Sequence, residues 1–192
     1  MTAKTAILAS AVLWAFAAPA ALGADCLPAE KLGPPGNYSG GVVPFPSGIM
    51  LMARMVPVTQ LDGSLYMGTP QLVPVPNECT LNALKSAMAL ATNASDLEFM
   101  LSQLVKRVTI EYCDGASLNN LSARPMAYDF VGPLEKADGT QLPSTNGPGG
   151  LANVAVRETH AAMREGTVEL SDGVQFVQFG GHETLITSIC IE

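Results

Sequence analysis

Residues 80–113 read TLNALKSAMALATNASDLEFMLSQLVKRVTIEYC, and the parsing of this stretch decides the fold class. After Thr80, the residues Leu81, Leu84, Met88 and Ala91 recur every three or four positions, the spacing of one helical face. Ser95 and Glu98 then form an S-x-x-E pair ahead of Leu97, Met100, Leu101 and Leu104. Each side chain of such a pair can satisfy an orphan amide of a first helical turn. This spacing predicts two short helices, or one broken helix, over 80 to about 105. From Val105 the character becomes β-branched and alternating. Val108, Ile110 and Tyr112 fall on one side, Thr109 and Glu111 on the other, which predicts a strand ending at Asp114-Gly115.

Upstream, the apolar runs 49–61 and 64–75 flank Asp62-Gly63, a dipeptide suited to the positive backbone angles of a tight hairpin turn. Pro57, Pro70 and Pro74 each remove a ladder donor, so this hairpin is expected to be irregular. Residues 26–48 are dense in proline and glycine and read as an irregular arm. Downstream, strands are expected at 126–131, 152–159, 167–170, 174–179 and 185–191. Asp138-Gly139 and Ser171-Asp172-Gly173 are expected to turn, 143–150 to form a loop, and 159–165 to add a helical turn. Strands, then a helical segment, then strands predict an α+β domain with a short helical segment packed on an antiparallel sheet.

The chain opens with Lys4, an apolar run at 6–16 and a small-residue tail at 17–23, the order of a secretory signal. Ala21 and Gly23 suit the small pockets of the signal peptidase, so residues 1–23 are expected to be removed, leaving 24–192 as a single exported domain. An uncleaved anchor fits less well, because the run is short for a span and Pro19 interrupts its end. A lipoprotein fits poorly too, since Asp25 stands next to Cys26. Losing Lys4 moves the formal net charge from −7 to −8. A surface of that sign repels phosphate backbones and anionic lipid, so neither nucleic acid nor membrane is expected as a partner after cleavage.

Cys26, Cys79, Cys113 and Cys190 all lie in the exported part, and an even count outside the cytoplasm predicts two disulfides. Three pairings are possible. The expected one joins Cys26 with Cys79 and Cys113 with Cys190, tethering the arm to the first helix and the last strand to a central one. No C-x-x-C occurs, so neither a zinc ribbon nor a redox motif is supported.

Met50, Met52 and Met55, with Met67 across the expected hairpin, supply clustered thioethers, soft ligands that suit Cu(I). In a strand Met55 would face away from Met50 and Met52 unless a bulge re-aims it, and methionine is also an ordinary core filler. His160 and His182 have carboxylate neighbours in Glu158 and Glu183, but no H-E-x-x-H occurs, and adjacent strand residues point to opposite faces. Ser39, within Gly36-Asn37-Tyr38-Ser39-Gly40-Gly41, lacks the spacing of a nucleophile elbow. The pairs Asp129 with Glu135 and Glu165 with Glu169 are of the kind an acidic chain supplies by chance, and Gly147, Gly149 and Gly150 lack the lysine of a phosphate loop. Asn37, Asn93 and Asn120 head N-glycosylation sequons. The expectation is an exported, non-enzymatic binding or accessory protein without a cofactor, meeting a protein partner. A methionine-rich copper-handling protein and a secreted hydrolase are the alternatives.

Overall fold

The computed structural model describes residues 25–80, 82–113, 119–125, 129–145, 149–160 and 164–192. The expected signal segment at 1–23, the turn at Asp114-Gly115, and parts of the expected strand at 126–131, the loop at 143–150 and the helical turn at 159–165 lie outside them.

The described residues form an antiparallel β structure, and the expected α+β class is overturned. There is no helix of seven or more residues among them, only single 3-10 turns at Ala29–Lys31 and Leu134–Lys136. Residues 95–105, expected as helix, belong to the longest of the described strands. The reason is visible in the side chains. Leu97, Phe99 and Leu101 alternate with Asp96, Glu98 and Met100, and the first three are completely buried, so a two-residue period outweighs the helical one. Ser95 and Glu98 cap nothing, and Glu98 binds Arg54 instead.

The arm expected at 26–48 contributes β1 (Cys26–Pro28), β2 (Gly36–Asn37) and β3 (Gly40–Pro44). Next come β4 (Met50–Thr59), β5 (Leu65–Tyr66), β6 (Gln71–Pro74) and β7 (Met88–Ala91). The expected hairpin forms between β4 and β5, with Val58 opposite Tyr66 and Gly63 at φ +81° in the turn, but its second strand is only two residues long. β8 (Ser95–Cys113) follows, then β9 (Asn119–Ser122), β10 (Phe130–Gly132), β11 (Gln141–Pro143) and β12 (Leu151–His160). β13 (Glu165–Gly181) and β14 (Leu185–Ile191) complete the order. Ser171-Asp172-Gly173, expected to join two strands, lies inside β13, where Asp172 and Gly173 take positive φ at an irregularity and the strand runs on.

β8 and β13 pair antiparallel along their lengths and form the spine. The first part of β8 is flanked by β4 and the last part of β13 by β9. At the other end β14 flanks β8 and β12 flanks β13. Between these ends the register lapses: Val174 faces Val105 while Phe176 faces Met100, so β8 carries extra residues here, between Met100 and Val105, and the ladder bends at this irregularity. That bend lets both ends of the spine share one core, which includes Leu51, Leu97 and Phe99 from one end and Val108, Ile110, Val168 and Ile189 from the other. Tyr112 and Phe179 meet within it, ring centres 5.8 Å apart.

The disulfides are Cys26–Cys190 and Cys79–Cys113, which corrects the expected pairing of Cys26 with Cys79 and Cys113 with Cys190. Cys26 lies directly opposite Cys190 in the β1–β14 ladder, so strand register alone brings the two together. Cys79 anchors the connection between β6 and β7 to the end of β8. Three buried or half-buried carboxylates reinforce that connection. Glu165 accepts from Thr80, and Glu30 accepts from Ser86. Glu111 accepts the Ala83 amide at 3.0 Å, the Thr187 hydroxyl at 2.8 Å and the Ser188 hydroxyl at 3.2 Å. A segment with little regular structure is thus held by acceptors from the sheet beneath it. Replacing Glu111 by glutamine sets an amide N–H₂ against these donors, and Glu111→Gln is expected to cost about 1 to 2 kcal/mol. Urea denaturation reads that loss, and faster hydrogen exchange at the Ala83 amide places it.

Candidate functional site

The outward face of the sheet formed by β3, β4, the start of β8 and the end of β13 carries two kinds of row. The register aligns Val42 of β3 with Met52 of β4, Met52 with Met100 of β8, and Met100 with Phe176 of β13. Strand alternation sends Leu51, Ala53 and Met55 inward, so Met50 and Met52 point outward. Phe176 is covered, whereas Val42 is 62% exposed, Met52 37% and Met100 45%. An uninterrupted apolar row therefore crosses three strands in contact with solvent, beginning at β3, which among the described strands pairs with β4 alone.

Beside it lies a polar row of Gly40, Arg54, Glu98, Gln178 and Ser122. Arg54 donates to Glu98 at 2.5 Å, with the guanidinium largely in solvent and the carboxylate buried. The next row places Val56, Asp96, Gly180 and Asn120 side by side. Asp96 is completely buried; its Oδ2 accepts from Gln178 at 2.8 Å and from Asn120 at 3.0 Å. Its Oδ1 has no hydrogen-bond partner among the described residues, and burial pushes the carboxyl up to about 7 against the pull of the two amide donors. Only glycine fits at 180, because a Cβ there would lie 2.6 Å from the Ser95 carbonyl oxygen and 2.8 Å from Asp96 Oδ1. Asp129, at the rim, is held by Ser122 and by the Arg124 guanidinium, each at 2.7 Å.

The residues singled out in the sequence are dispersed by this geometry. Met55 enters the core and Met67 lies beyond the β4–β5 hairpin, so the four thioethers Met50, Met52, Met55 and Met67 do not share a face. Met100, which the helical spacing assigns to a helix, stands in the row with Met52. The signal for it was the alternation of Leu97, Phe99 and Leu101. His182 is exposed in the turn between β13 and β14, its Nε2 against the Gln60 amide. Ser39 is exposed between β2 and β3. Asp129 is held by Arg124, Glu165 by Thr80 and Glu169 by Arg107, and Glu165 and Glu169 stand four residues apart along β13. Among the described residues no group of three His, Cys, Asp or Glu side chains could hold a metal ion. Of the sequon asparagines, Asn37 and Asn93 are exposed and Asn120 is completely buried.

Both disulfides fit an oxidising compartment outside the cytoplasm. No described helix is long and apolar enough to cross a membrane. Compared with known proteins, the chain matches no family model, no curated protein and no solved structure.

Proposed function

We propose that this chain is an exported binding or accessory protein that meets a protein partner through the outward face of β3, β4 and β8. The observation that carries the reading is the solvent-facing row of Val42, Met52 and Met100 across three neighbouring strands. Scattered apolar side chains are ordinary on a surface, whereas a contiguous apolar patch with a polar rim is the common form of a protein-binding site. Here the rim is the Arg54–Glu98 pair. Methionine suits such a surface because its unbranched, polarisable side chain adapts to different contours. The paired cysteines and the signal-like start of the chain support export.

The test compares the tagged protein with a Met52→Glu/Met100→Glu variant of matched melting temperature, each cross-linked within the exported fraction of the source cells. A discrete partner captured stoichiometrically by the first and lost from the second supports the reading. Equal capture by both, or no discrete partner, rejects this face as the binding surface.

A further inference from the structure

We infer that Met50, Met52 and Met100 form a binding site for a soft monovalent cation of the Cu(I) type. Register and alternation, rather than sequence proximity, bring the three together. Met50 and Met52 are two apart on β4 and share its outward face, while Met100 is the cross-strand partner of Met52 on β8. Positions related in this way have Cβ atoms about 5 to 7 Å apart. A methionine side chain has three rotatable bonds beyond that point, so three sulfurs can gather around one ion without moving the backbone.

The chemistry of the donor set selects the ion. Three neutral thioethers offer soft sulfur and no charge, which suits a monovalent d10 cation and disfavours Mg²⁺ or Ca²⁺, whose ligands are oxygens. No thiol competes for such an ion, because all four cysteines are in disulfides. Phe176 closes the row on the side of β13, giving the site an apolar wall, and the neighbouring Arg54 has its charge compensated by Glu98. The set differs from one drawn from Met50, Met52, Met55 and Met67: Met55 is in the core, and Met100 takes its place.

Silver(I), a d10 ion that does not change oxidation state here, is titrated into the disulfide-intact protein while the assigned methionine ε-methyl resonances are followed by NMR. The three methyl signals of Met50, Met52 and Met100 are expected to shift together and saturate at one equivalent. Those of the buried Met55 and the exposed Met67 stay in place. Competition with a chromophoric Cu(I) chelator then gives the affinity for copper. A Met52→Leu/Met100→Leu variant should weaken binding at least tenfold on both readouts. Leucine keeps the volume and the apolar surface and removes only sulfur, so the protein-docking reading survives this variant and the two proposals fail separately. Shifts that never saturate, an equal response at Met67, or unchanged affinity in the leucine variant would overturn the site. The last result would move binding to a group such as His182.

Discussion

Removing the Cys26–Cys190 bridge in a Cys26→Ala/Cys190→Ala variant is expected to cost about 5 kcal/mol, the larger of the two disulfide losses. The bridge closes a loop with a sequence separation of 164, against 34 for Cys79–Cys113. On chain entropy alone the shorter loop is worth about 4 kcal/mol. The longer bridge also holds β1, a three-residue strand whose ladder to β14 is otherwise brief and whose Leu27 is buried in the core. Losses of this size approach the whole stability of an ordinary domain, roughly 5 to 15 kcal/mol. Urea denaturation of both double variants checks the ordering, and peptide mapping of the oxidised protein checks the pairing. A wild-type midpoint in the Cys26→Ala/Cys190→Ala variant would contradict the expectation.

Asp96 should make stability fall as pH rises towards neutrality. Its native carboxyl titrates at about 7, above the ordinary value of 3.8, because burial disfavours the charged form. Between those two values the native state holds a proton that the unfolded chain has released. Linkage then lowers the unfolding free energy with each step up in pH. The contribution is fully present below 3.8, declines through the interval and is lost above about 7, a total of about 4 kcal/mol. Asp96→Asn, which imitates the neutral acid, should match the wild type near pH 4 and exceed it by up to that amount at pH 8. The informative quantity is the difference between the two proteins across this range, since other titrating groups cancel in it. A difference that does not change with pH would mean that Asp96 stays ionised in the folded protein.

Much of the β structure was legible locally. The turn at Asp62-Gly63, the strand at 185–191 and the alternation at 108–112 each rest on neighbouring residues alone, and each stands in the fold. The segment 80–105 misled because two periods overlap in it. Leu97, Met100, Leu101 and Leu104 satisfy a helical spacing while Leu97, Phe99 and Leu101 satisfy a strand, and the outward positions Asp96 and Glu98 are themselves buried. The helical spacing assigns Met100 to a helix, whereas in the fold it stands directly opposite Met52. The core role of Met55 follows from the same alternation, since Leu51, Ala53 and Met55 face inward together.

By itself the sequence determined the acidic charge of the chain, the presence of two disulfides and several of the strands, because these depend on composition and on contacts between near neighbours. Only the tertiary structure decided that 95–113 is one strand, that Cys26 meets Cys190 and that Met52 meets Met100. All three depend on which strands lie side by side and in what register. That choice is made by burying one shared core between residues far apart in the chain, and no local pattern encodes it.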